Sequence, residues 1–150
     1  MQGIEKKKGG LMIWILNIEL LSGAYLEDKW EATVEIDSTS TLEDLHFAIQ
    51  DAVEFDNDHL YEFYISRTER SRDRVRFDDE NEGIYSVTLE NLYPLEKRKK
   101  LYYMFDYGDS WLFKITKSRK RPQEPKQGIT YPRMVNETGS KPEQYPAWEE

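Results

Sequence analysis

"LYYMFDYGDSWLFKI", Leu101 to Ile115, sets six aromatic residues around two aspartates and a glycine. Read with period two, Tyr103, Phe105 and Tyr107 share one face, with Tyr102, Met104 and Asp106 on the other. Trp111, Phe113 and Ile115 share a face on a returning strand. Between them "DYGDS" supplies the turn: Gly108 suits positive φ, and the aspartates can accept from nearby backbone N–H groups. The spacing predicts a hairpin with an acidic tip. A functional reading stands beside it, in which Asp106 and Asp109, next to Trp111, bind a cation or polarise a substrate. Two carboxylates alone are a weak metal signal, so the structural reading leads.

Upstream, "LMIWILNIELL" places Met12, Trp14, Leu16, Ile18 and Leu20 on one face of a strand over about 11–21. The basic leader and apolar stretch before "SGA" mimic a signal peptide, but Asn17 and Glu19 interrupt what a signal sequence keeps apolar. "WEATVEID" (Trp30 to Asp37) is a second strand, with Ala32, Val34 and Ile36 on one face. "STSTLEDLHFAIQDAVEF" follows as a helix. Thr39, Ser40 or Thr41 is its N-cap, Thr41 and Asp44 have capping-box spacing, and Leu42, Leu45, Ile49, Ala52 and Val53 form one stripe. "LYEFYIS" (Leu60 to Ser66) is a third strand.

The composition then changes. Five arginines within 67–76 precede an acidic run over 78–82, which predicts a long solvated loop or a ragged hairpin. Ile84, Tyr85 and Val87 suggest a short extended piece, and "TLENL" one helical turn before Pro94. From Pro122 onward the chain holds five of its six prolines and no clear periodicity. The expected organisation is a flexible leader over 1–10, a domain over 11–121, and a proline-containing extension over 122–150, packed on the domain or trailing it.

The bulk numbers fit one domain of ordinary size. Of 150 residues, 38% are hydrophobic and 13% aromatic, enough for a packed core although 33% are charged. Net charge is −8, which argues against nucleic acid binding over the whole surface while leaving local basic patches possible. The absence of cysteine excludes disulfides and thiolate metal sites and fits a reducing compartment. No stretch is long enough to span a bilayer, and a cytoplasmic location with no membrane partner is expected.

Two histidines bear on chemistry. His46 borders the buried stripe of the helix, where a satisfied boundary histidine is the commoner role, and His59 follows the turn that ends the helix. There is no H-E-x-x-H, P-loop, G-x-S-x-G or Rossmann glycine fingerprint, so no cofactor is implied. "KRKK" (97–100) and "KSRKRPQEPK" (117–126) flank the aromatic hairpin. Basic residues beside aromatics can follow a phosphate backbone, but a solvated surface is the leading reading.

"TLEDLHFAIQDAVEFDNDHLYEF", "LYYMFDYGDSW" and "YPRMVNETGSKPEQYP" together resemble the plasmid pRiA ORF-three-like domain family, over about Ile13 to Pro146. Some members of that family are labelled as passenger proteins of insertion elements. Leu45, His46, Ile49 and Gln50 match its helix motif, and His59, Leu60 and Phe63 its strand motif. Asp106, Gly108, Asp109 and Trp111 match its turn motif. Tyr61 and Phe113 stand where the family pattern has histidine, Tyr107 replaces phenylalanine, and "KPEQYP" lacks the family's cysteine. The positions suited to a metal or catalytic site are the altered ones.

The expected fold is a single α+β domain: one principal helix on a mainly antiparallel or mixed sheet, with a β-grasp-like arrangement as an analogy. The function expected first is a non-enzymatic binding module for protein or peptide, acting through a sheet edge or the aromatic hairpin. The alternatives are a nucleic-acid accessory protein of mobile elements, and a degenerate metal-assisted enzyme around His46, His59, Asp106 and Asp109. Those four, with Trp111, are the candidate binding residues. No catalytic residue, metal ligand or cofactor is assigned.

Overall fold

A capping box starts the one long helix. The backbone N–H of Asp44 donates to Thr41 Oγ1 at 3.1 Å, and the N–H of Thr41 donates to Asp44 Oδ2 at 2.9 Å. Thr41 is therefore the N-cap of helix α1 (Leu42–Val53), which ends at Glu54 in the left-handed conformation. Its buried residues are the predicted Leu42, Leu45, Ile49, Ala52 and Val53, joined by His46, Ala48 and Gln50.

The computed structural model describes residues 11–147; the leader expected over 1–10 lies outside them. Before α1 come strands β1 (Ile13–Ser22) and β2 (Trp30–Asp37). After it come β3 (Tyr61–Ser66), β4 (Val75–Phe77) and two single-turn helices, α2 (Gly83–Ser86) and α3 (Leu89–Leu92). Strands β5 (Lys100–Phe105), β6 (Trp111–Lys117) and β7 (Arg133–Gly139) complete the fold. The strands form one sheet in the order β4-β3-β5-β6-β1-β2-β7, with every pairing antiparallel. This is a single α+β domain, mostly sheet.

The hairpin that opened the sequence reading lies at the centre of that sheet. Leu101 pairs with Ile115, Tyr103 with Phe113 and Phe105 with Trp111. These six side chains are buried in the main core with Leu16, Ile18, Trp30, Phe63 and the stripe of α1. The opposite face carries a smaller cluster of Tyr64, Tyr102 and Leu112. Part of the arginine-rich loop covers it: the Arg74 guanidinium sits 3.9 Å from the Tyr64 ring centre, and the Tyr64 hydroxyl donates to the Glu69 carbonyl at 2.8 Å.

Three local readings change. Ile84 to Ser86 are helical rather than extended, because Ile84 turns into the core and the Val87 N–H closes on the Gly83 carbonyl at 3.0 Å. The stretch beyond Pro122 contains a strand, β7, which pairs with β2 through a register shift at Thr33/Val34. As an edge strand it leaves Met134 and Val135 partly exposed, so it needs little apolar sequence and shows little periodicity. At the hairpin tip, positive φ belongs to Asp106 (65°) and Ser110 (54°), not to Gly108.

Two stability predictions follow from this packing. Leu45 is fully buried, so Leu45→Ala should cost about 2–5 kcal/mol in urea unfolding; a loss no larger than that of a surface substitution would mean that the helix faces another way. A Cβ on Gly108 would approach nothing closer than Asp106 Oδ1 at 3.4 Å, whereas one on Gly23 would lie 2.2 Å from the Trp111 indole. Gly108→Ala should therefore be nearly neutral and Gly23→Ala should cost on the order of 1–3 kcal/mol. The reverse order in the same measurement would refute the tip geometry.

Candidate functional site

The fold sends the predicted residues to separate places. His46, from the buried side of α1, faces β5 and β3. Its Nδ1 lies 2.5 Å from the Tyr103 hydroxyl and its Nε2 lies 2.6 Å from Asn57 Oδ1. Asn57 Oδ1 can only accept, so Nε2 carries the proton and Nδ1 accepts from the Tyr103 O–H. Gln50, one helical turn further along, donates to the same hydroxyl oxygen at 3.0 Å. The result is a directed chain from Gln50 through Tyr103 and His46 to Asn57. The imidazole also lies flat on Tyr61, with ring centres 3.6 Å apart. Burial pushes its pKa down to about 4, against the opposing effect of Asn57. Tyr103 is shifted well upward, also by burial.

His59 belongs to a different group at the hairpin tip. Its Nε2 is 3.3 Å from Asp106 Oδ2 and 2.9 Å from the Tyr145 hydroxyl. Tyr145 donates to Asp58 Oδ2 at 2.7 Å, which is the first cause of the lowered pKa of Asp58. Gln144 closes the arrangement, accepting from the Asp56 N–H at 2.7 Å and donating to Asp58 Oδ1 at 2.9 Å. The chain end near 144–145 thus lies across the tip.

Asp106 is buried, and its Oδ1 accepts from the backbone N–H groups of Gly108 (3.0 Å) and Asp109 (3.3 Å). Its carboxylate therefore does the work of a turn. The main chain of Asp109 is also engaged, its carbonyl accepting from the Ala24 N–H at 2.9 Å. Trp111 is fully buried under Gly23. Each histidine ring contacts Phe105, at 6.1 Å for His46 and 6.0 Å for His59, but their polar partners differ. Among the described residues, no three His, Cys, Asp or Glu side chains group as metal ligands.

The open feature lies at the other end of the hairpin. A cleft of about 560 Å³ is floored by Trp14, Tyr93, Pro94 and Leu95, within the range of small-ligand sites. Its lining includes Lys99 and Lys100 from one basic segment, Lys117 and Arg119 from the other, and Lys114 between them, whose side chain shares a face with Tyr102 and Glu19. Among the described residues, no acid lines it. The Lys117 ammonium sits 4.6 Å from the Trp14 ring centre, and Tyr93 meets Trp14 edge-on at 5.7 Å. Sequence reasoning noted both basic segments but missed the cleft. The signal was present: antiparallel pairing of two strands must bring the residues before the first and after the second to one end.

The neutral His46 gives a pH prediction. Its ordinary pKa of 6.5 returns on unfolding, while the folded chain holds it near 4. Between those values the unfolded chain binds the proton and the folded chain does not, so stability falls as pH drops through that window. The loss should be about 3 kcal/mol. Urea unfolding of wild type and His46→Gln from pH 7 to pH 4 isolates this contribution, with the variant showing the shallower decline. Parallel declines would show that His46 titrates alike in both states.

Comparison with known proteins agrees with this fold. A crystal structure of a protein of unknown function, MM3350 from Methanosarcina mazei Go1, superposes with a TM-score of 0.67 at 20% identity, covering 85% of this chain and 70% of that one. That likeness speaks for the fold alone. Among curated proteins, none matches this chain. The family model for the plasmid pRiA4b ORF-3-like protein matches residues 16–145, from β1 to the tyrosine that is hydrogen-bonded to His59. The chain belongs to the plasmid pRiA4b ORF-3-like family.

Proposed function

We propose that this protein is a non-enzymatic binding domain for a protein or peptide, and that it takes its partner in the cleft over Trp14, Tyr93 and Leu95. The cleft carries the proposal: an apolar floor within a charged rim, of ligand size, formed where two basic segments meet. The aromatic hairpin considered from sequence is a poorer surface, since Tyr103, Phe105, Trp111 and Phe113 are fully buried. The histidines argue for structure as well. Both ring nitrogens of His46 are engaged within the fold, and positions 61 and 113, where the family pattern has histidine, hold Tyr and Phe.

A nucleic-acid accessory role has one observation in its favour, the convergence of the two basic segments. It is the weaker reading because base stacking needs an open aromatic face. One face of Trp14 is taken by Lys117, and Tyr93 packs against the indole in a T-shaped contact. No helix among the described residues is long and apolar enough to cross a membrane.

Selection of a random peptide display library on the immobilised full chain tests the proposal. Convergent sequences that bind wild type and lose binding to Leu95→Glu are expected. A selection that yields no convergent sequence, or one indifferent to Leu95→Glu, would remove the cleft as a peptide site.

A further inference from the structure

Resting on the cleft as a peptide site, we infer that its occupant is an acidic segment carrying one bulky aliphatic side chain, with the carboxylates on the lysine rim and the aliphatic group on the Leu95 floor. Acids outnumber bases 29 to 21 along the chain, yet among the described residues every charged one lining the cleft is a base. A neutral or basic segment gains nothing from that rim, whereas an acidic one meets complementary charge and is steered to it from a distance.

Lys99 and Lys114 have carboxylate neighbours, Glu96 and Glu19, each at 3.5 Å. Glu96 is 77% exposed and Glu19 49%, and ion pairs of that kind exchange for an incoming carboxylate at little cost. Among the described residues, Lys100 and Arg119 have no carboxylate within ion-pair distance, and both side chains are exposed. The rim thus has cations to offer without breaking any buried interaction.

Lys117 already lies over one face of Trp14 and Tyr93 packs against the indole in a T-shaped contact, so the ring is partly occupied from within the fold. Pro94 is exposed and Leu95 half-buried. They present aliphatic surface that a branched side chain covers well, removing apolar area from water on both sides. The rim supplies selectivity and the floor supplies anchorage.

Fluorescence anisotropy on the full chain tests this with labelled peptides of equal length. Each carries a central leucine pair, flanked in turn by glutamate, glutamine or lysine, and a short oligothymidine serves as the phosphate probe. The glutamate-flanked peptide should bind about tenfold or more tighter than the glutamine-flanked one, an advantage that shrinks as salt rises. The double variant Lys100→Glu/Lys117→Glu should lose that advantage and prefer the lysine-flanked peptide. Lys120→Glu, an exposed charge change beside the cleft, should leave it intact. Circular dichroism of each variant checks that it is folded.

Equal binding of glutamate- and glutamine-flanked peptides, both abolished by Leu95→Glu, would overturn the acidic preference while leaving the cleft a peptide site. Failure of all three peptides would remove both. Oligothymidine displacing the glutamate-flanked peptide at lower concentration than the unlabelled peptide itself would replace the peptide with a nucleic acid.

Discussion

Tyr103 carries a hydroxyl into the centre of an otherwise apolar core, and much of the structure answers to that one oxygen. The residue is fully buried on β5, between Phe63 and Phe113. An unpartnered hydroxyl there would cost about 1–3 kcal/mol, a large fraction of a small domain's stability. Helix α1 supplies both partners, His46 and Gln50, one turn apart on one face. That requirement fixes the rotation of the helix over the sheet more sharply than a greasy stripe can, since an apolar stripe tolerates sliding and a hydrogen bond does not. The neutral imidazole then needs an acceptor for its own N–H, and Asn57 in the turn after the helix provides it. The polar chain therefore links helix, strand and turn through the core.

The hairpin built on Tyr103 has two ends with opposite fates. At the tip, Asp106 bonds to its own turn, His59 Nε2 lies 3.3 Å from Asp106, and the Tyr145 hydroxyl ties to both His59 and Asp58. That end is closed. At the base, the same register that sets Leu101 opposite Ile115 brings Lys100, at the start of β5, and Lys117, at the end of β6, to one end of the sheet, where Lys117 lies on Trp14 and both line the cleft. Closure of one end and openness of the other follow from one pairing, because residues before a hairpin must meet residues after it.

Much of this was legible in the sequence, for reasons that differ by element. Thr41 and Asp44 announced the helix start because a capping box needs fixed chemistry at fixed spacing. The Leu42-to-Val53 stripe announced its buried face because only burial rewards that period. The central strands showed through their alternating aromatics. Strand β7 did not, since an edge strand on a covered sheet is held by backbone pairing and by polar ties such as Arg133 to Glu35 (2.7 Å) and Trp30 to Glu137 (2.8 Å). Gly108 misled for a related reason. Turn chemistry suggested that glycine must take the left-handed position, but aspartate tolerates it, and Asp106 takes it while its side chain stabilises the turn. Site residues were harder still. His46 and His59 are thirteen positions apart on different elements, and nothing in their spacing reveals that Phe105 touches both while their polar partners differ.

Five bases around one cleft repel one another, and the fold offsets that repulsion piecemeal. Lys117 gains from the Trp14 ring, a contact worth about 0.5–1 kcal/mol at an exposed site. Lys99 and Lys114 gain from Glu96 and Glu19, at the small value of exposed pairs. Lys100 and Arg119 keep their heads in water. The background charge of −8 helps as well, since a cation on a net anionic body sits in a favourable field. The cluster is therefore tolerable without a ligand but not neutralised, and the unmet part of its charge is greatest at the rim, where it is least screened from an approaching anion. Salt weakens both the self-repulsion and the attraction to such an anion, so the cleft discriminates best at low ionic strength.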